Sequence, residues 1–173
     1  PAPTGVGSTW PEPDATIRTR SLTRRYGTLE AVRGLSVTIP RGEIFGIVGP
    51  DGAGKTTFIQ MLCGILTPSD GTATVLGFDS VRQASSIAER VGYMSQEFSL
   101  YGGLTVAENI EFFADIHDVP VGLRRDRAER LLRFSRLTPF QDRLARNLSG
   151  GMKKKLALTT MLVHAPEVLF LDE

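Results

Sequence analysis

The chain has 173 residues, 41% of them hydrophobic and 23% charged, with a formal net charge of +1. That length is enough for one domain with a sizeable core, and the near-zero charge leaves no electrostatic footprint for nucleic acid. No apolar run approaches the roughly 20 residues that span a bilayer as a helix, so a membrane, if involved, is reached through a partner; the single cysteine, Cys63, excludes an internal disulfide.

Residues 1–14 hold four prolines, two glycines and no periodic pattern, which reads as a linker or disordered lead-in with Trp10 exposed within it. The first residue is Pro1, not Met, so the chain reads as a piece of something longer. From Ile17 to Ile39, short alternating stretches predict strands with turns at Tyr26-Gly27 and at Pro40-Arg41-Gly42. Glu43 to Val48 (EIFGIV) is a short apolar run and predicts a buried parallel strand leading directly into a glycine-rich loop. A helix is expected from Lys55 to Leu66, closed by a turn at Pro68-Ser69-Asp70-Gly71. Further strands are expected at Thr72–Leu76 and within Ile87–Met94.

The second half is mostly helical in pattern. Leu104 to His117 predicts a helix with Thr105 as its cap and Glu108 completing a capping box. Arg124 to Leu137 predicts a second helix, amphipathic through Ala128, Leu131, Leu132 and Phe134, with its arginines on a solvated face. Ser149 is placed to cap a third helix ending near His164, Pro166 stops it, and Val168–Leu171 reads as the last strand. Strand, loop, helix, helical block and apolar strand make an α/β layout with a helical insertion.

Two stretches carry chemistry by residue type alone. Gly49-Pro50-Asp51-Gly52-Ala53-Gly54-Lys55-Thr56, followed by Thr57, matches the phosphate-loop pattern G-x-x-x-x-G-K-[ST]. Glycines let the backbone turn its N–H groups onto an anion, and the following helix directs its positive end there. Lys55 is placed to carry a charge to the β and γ phosphates, and the Thr56 hydroxyl to reach Mg²⁺. The second stretch is Val168-Leu169-Phe170-Leu171-Asp172-Glu173. Beside the loop's strand, it would bring Asp172 to the metal and Glu173 to the attacking water. The loop by itself does not separate kinases, GTPases and ATPases.

Leu148-Ser149-Gly150-Gly151-Met152, followed by a helix and then VLFLDE, resembles the signature of ABC transporter ATPase subunits. The resemblance covers about residues 15–173 as a partial ATPase domain with a helical subdomain at about 97–160. It implies a P-loop NTPase (RecA-like) α/β core with an antiparallel β subdomain and an inserted α-helical subdomain, lacking the C-terminal strands. It also implies that Tyr26 stacks on adenine and that Gln96 touches Mg²⁺ and the attacking water. Ser149, Gly150 and Gly151 would close on the ATP of a second ATPase domain in a head-to-tail dimer. The implied activity is ATP hydrolysis driving transport, with a transmembrane permease as partner, at the cytoplasmic face of the membrane, and no nucleic acid.

Two departures qualify that expectation. Met152 and Lys153–Lys155 stand where the signature's glutamine-containing form is usual, a variant similar to ATPases of ABC-2 type exporters. The switch histidine expected after Glu173 is absent, since His117 and His164 both precede it and read as ordinary helix residues. Weak or no turnover is therefore expected of this stretch alone. The competing readings are a soluble ABC ATPase acting on ribosomes or DNA, and a nucleotide-binding module without turnover. The first would carry long charged or zinc-bearing insertions, which are not seen; Lys55, Thr56, Gln96, Asp172 and Glu173 argue against the second, which the residues expected after Glu173 leave open.

Overall fold

The computed structural model describes residues 15–96 and 99–172. The lead-in expected at residues 1–14, Trp10 and Glu173 lie outside the described residues. The chain divides into two compact units with the boundary between Ala88 and Glu89.

The first unit is built on a mainly antiparallel sheet. Strand β1 (Ala15–Tyr26) lies between β2 (Leu29–Leu35) and β4 (Asp70–Val75), with β5 (Phe78–Asp79) beyond β4 and β3 (Thr38–Pro40) also paired to β1. β1 is long because it serves two sets of partners. Ala15 to Arg18 pair with β3, Ile17 to Thr23 with β4, and Leu22 to Tyr26 with β2. In the pairing with β4 the register shifts between Arg20 and Thr23, around Ser21, whose φ is +47°, as expected of a bulge that bends a strand and increases its twist. Alternation then buries Ile17, Thr19 and Leu22 of β1, with Ala73 and Val75 of β4. Helix α1 (Lys55–Leu62) adds Phe58, Met61 and Leu62 to this unit's buried set, and the short helix α2 (Ala84–Ala88) adds Ile87. α1 stops at Cys63, short of the expected Leu66. Gly64, at φ +72°, turns the chain away. α2 itself, in the polar stretch RQASSIA, carried no periodic signal long enough to predict it.

One expected strand is not there. Residues 43–48 form no strand and pair with nothing among the described residues. Ile44 and Val48 are fully exposed, at 101% and 98%. Hydrophobic content gives a segment a reason to be buried, but a strand exists only through ladder partners for its N–H and C=O groups.

The second unit joins a two-stranded parallel sheet to a helical bundle. Strand β6 (Val91–Met94) pairs with β7 (Val168–Leu171), residue for residue from Val91↔Val168 to Met94↔Leu171. Between them lie α3 (Val106–Ile116), α4 (Val121–Ser135) and α5 (Gly150–Leu162). Val106, Ile110 and Phe113 of α3, Leu132 of α4, and Leu156 of α5, with Leu137, Leu148 and Val163, form one buried cluster. The apolar face expected of α4 is narrower than the sequence suggests. Leu132 is buried and Ala128 and Leu131 pack on the cluster, but Phe134 is 73% exposed. At about 100° per residue, Phe134 is rotated some 200° from Leu132, so only one of them can face the core.

Candidate functional site

The phosphate-loop residues lie in the first unit. Gly54 takes φ +85° as the N-cap of α1, a left-handed conformation that glycine adopts without a Cβ penalty. A Cβ there would lie 2.1 Å from the Ala31 carbonyl oxygen, so the position is closed to side chains sterically as well. Ala53 N–H donates back to Pro50 O at 3.2 Å, closing the turn, and Phe58 N–H makes the helix bond to Gly54 O at 2.9 Å. Gly54 offers no side chain to cap the first turn of α1, and no acid stands in that turn. The helix therefore presents its positive end without a built-in anion. Lys55 Nζ donates to the carbonyls of Gly49 and Pro50, each at 2.8 Å, which folds the ammonium over the loop. Gly49, Pro50, Asp51, Gly52 and Ala53 are exposed, while Gly54 through Thr57 are half-buried. The sequence-predicted loop is thus a single continuous structural feature.

Tyr26, also in the first unit, ends β1 and pairs across the hairpin with Leu29. Tyr26 is 46% exposed, with the Arg24 guanidinium 4.7 Å from its ring centroid. Arg24 is itself held by donating to Thr67 O at 2.7 Å. The ring's contact is with this arginine, which the sequence did not single out.

The remaining predicted residues lie in the second unit. Ser149 is the N-cap of α5, its hydroxyl accepting from Met152 N–H at 3.4 Å, and Gly150 and Gly151 follow it exposed. This cap is positioned by a network that starts in the N-terminal turn of α3. There Thr105 and Glu108 form the expected capping box: Glu108 N–H donates to Thr105 Oγ1 at 3.1 Å, and Thr105 N–H donates to Glu108 Oε2 at 2.7 Å. The Thr105 donors hold the Glu108 carboxyl below its ordinary pKa. Asn109, fully buried, donates to the carbonyls of Tyr101, Leu104 and Thr105 and accepts from Tyr101 N–H. Ala145 N–H then donates to Leu104 O at 2.8 Å and Val106 N–H to Arg143 O at 3.0 Å, tying the segment before Ser149 to the start of α3.

Asp172 follows β7 and is 3% exposed. Its N–H donates to Met94 O at 2.9 Å, carrying the parallel ladder one residue past the strand. Tyr93 Oη donates to its Oδ2 at 3.2 Å. Gln96, two residues after β6, is exposed. Tyr93 was missed in the sequence reading, though a signal existed: in parallel register it faces Phe170, and alternation places Asp172 on the same side as Phe170. Among the described residues, no group of three or more His, Cys, Asp or Glu gathers to hold a metal. Mg²⁺ seldom uses such a cage; it binds through one or two carboxylates, hydroxyl or amide oxygens and the substrate phosphates. Thr56 in the first unit, and Gln96 and Asp172 in the second, each carry an oxygen of that hard kind.

The second unit also contains an unforeseen histidine pair. His117, the C-cap of α3, stacks on His164, just beyond α5, with ring centroids 3.9 Å apart and planes 12° apart. His164 Nε2 lies 3.2 Å from Val91 O, and its buried Nδ1 has no partner. Burial lowers the pKa of both, and for His164 the neighbouring His117 adds to the effect.

The ABC transporter family model matches residues 32–173. The chain is 48% identical over 162 residues to the probable multidrug ABC transporter ATP-binding protein YbhF of Escherichia coli strain K12, covering 92% of this chain and 28% of that protein. It is 38% identical over 160 residues to the daunorubicin resistance ATP-binding protein DrrA3 of Streptomyces coeruleorubidus, covering 92% of this chain and 51% of that one. Among solved structures, cbiO1 of Clostridium perfringens, part of the ABC transporter complex cbiONQ, is similar with a TM-score of 0.81 at 30% identity, over 92% of this chain and 66% of that one. The chain spans about half the length or less of these curated relatives. The family match extends over most of the chain, and the glycine loop, the Ser149 cap and the Asp172 strand end all lie within it: the chain belongs to the ABC transporter family.

Proposed function

We propose that this chain binds ATP with Mg²⁺ and belongs to an ATPase that drives export through a transmembrane permease. The observation that carries this reading is the N-terminus of α1. It has no side-chain cap and no acid in its first turn, and it follows a glycine loop with Lys55 folded over it. An anion is what that arrangement favours. On this reading the backbone N–H groups from Gly49 to Thr57 orient the β and γ phosphates, and Lys55 offsets their charge. Tyr26 stacks on adenine with Arg24 behind it. The Thr56 hydroxyl, Gln96 and Asp172 would hold Mg²⁺, which would supply positive charge to offset that of the phosphates. Gln96 and Glu173 orient the attacking water.

Ser149, Gly150 and Gly151 are assigned to the ATP of a second ATPase domain, since they form another helix N-terminus fit for an anion. The direction of transport follows the relatives, whose names speak of multidrug transport, daunorubicin resistance and Nod factor export. The assembly would sit at the cytoplasmic face of the membrane, peripheral to its permease. Equilibrium titration with a fluorescent ATP analogue and Mg²⁺ tests the core of this. Lys55→Ala is expected to weaken binding about tenfold or more, equivalent to about 1.4 kcal/mol. An affinity indifferent to Lys55 removes the loop from the proposed function.

A further inference from the structure

We infer that Tyr93 is a positioning residue for Asp172, setting the orientation of its carboxylate before metal arrives; this rests on the reading of Asp172 as a Mg²⁺ group. The backbone arranges the pair. β6 and β7 run parallel with Tyr93 opposite Phe170, and side chains of paired residues share a face. Asp172 is two residues beyond Phe170, so it returns to that face, one residue past the end of the strand. The bond from Asp172 N–H to Met94 O fixes its backbone to β6, and the bond from Tyr93 Oη to Oδ2 then restricts rotation of the carboxyl.

The chemistry of the donor decides its role. A carboxylate that is 3% exposed needs hydrogen-bond partners. A guanidinium would supply them and also neutralise the charge that a divalent cation requires. A phenol donates one hydrogen bond and is neutral at physiological pH, so it orients Asp172 without adding a positive charge of its own. Outer partners of this kind commonly influence metal affinity or activity about 10- to 100-fold. Tyr93 is three residues before Gln96, so β6 and the two residues after it carry both this positioning group and the glutamine proposed for the same ion.

The test measures metal affinity, not turnover. Mn²⁺ binding to the full chain with a non-hydrolysable ATP analogue is followed by electron paramagnetic resonance, for Tyr93→Phe, Asp172→Asn and the double variant. Tyr93→Phe keeps the ring and its packing, and circular dichroism confirms the fold. The expected result is about tenfold weaker Mn²⁺ binding in Tyr93→Phe, unchanged affinity for the nucleotide without metal, and no further loss when Tyr93→Phe is added to Asp172→Asn. A merely structural role would lower affinity equally in both backgrounds, which overturns the inference. Unchanged Mn²⁺ affinity in Tyr93→Phe, with Asp172→Asn impaired, also overturns it and leaves the assignment of Asp172 intact. If Asp172→Asn has no effect either, the reading of Asp172 as a metal group fails, and the inference fails with it.

Discussion

Glu43–Val48 and Val168–Leu171 are alike as sequence: each is a short apolar run leading directly into a group of chemical interest. Only the second is a strand. β7 has β6 beside it in continuous register, and Phe170 is buried; residues 43–48 have no ladder partner among the described residues, and Ile44 and Val48 stand in solvent. The comparison shows that an apolar run states a demand for burial, and that a neighbouring strand decides whether the demand is met.

The sharpest way to break this comparison is to truncate one phenylalanine in each run. Phe170→Ala is expected to cost about 3–5 kcal/mol, the usual loss for a buried aromatic. Phe45→Ala, at a position 51% exposed, should cost about 1 kcal/mol or less. Denaturant unfolding of both variants reads the difference, and equal losses would mean that residues 43–48 are buried in solution. Next in size is Gly54→Ala, at the loop into which the unpaired run leads. Its φ of +85° and the 2.1 Å approach to Ala31 O leave no room for a methyl group. A loss of about 2 kcal/mol or more is expected, and thermal melting of the variant checks it.

A smaller effect tests how locally the second unit is specified. Thr105→Ala removes the hydroxyl that accepts from Glu108 N–H and should cost about 1 kcal/mol; no loss would mean that tertiary contacts alone hold the start of α3. The last prediction concerns pH. His117 and His164 have folded-state pKa values below the ordinary value of about 6.5. The unfolded chain therefore binds more protons between the two values. Stability is fully present above about pH 6.5 and is lost as pH falls from there through the lowered folded pKa values. Asp118 opposes the effect at His117. At His164 the bond to Val91 O opposes it and Arg127 reinforces it. His117→Phe, keeping a flat ring against His164, should flatten the acid limb of a melting-temperature profile; an unchanged limb would show that other groups set it.

Much of the site was legible because its signals are local. The glycine turn into α1, the Thr105–Glu108 box, the Ser149 cap and the β7 strand each lie where their residues predict. α4 was found as a helix but its face was misjudged at Phe134, because hydropathy does not say which of two apolar residues on different sides meets a neighbour. The histidines were seen only as residues on two helices. Their stacking depends on α3 and α5 ending side by side, which brings together His117 and His164, far apart in sequence.

What the sequence determined by itself were features whose cause lies within about four residues. Glycine is permitted a positive φ by its own missing Cβ, and a capping side chain reaches N–H groups one turn away. What only the tertiary structure decided were features that need a distant partner. Residues 43–48 stay unpaired among the described residues, Tyr26 lies under Arg24, and the phenol of Tyr93 reaches the carboxylate of Asp172 across a sequence separation of 79 residues. Pairing and burial belong to two segments at once, and a linear reading takes each segment alone.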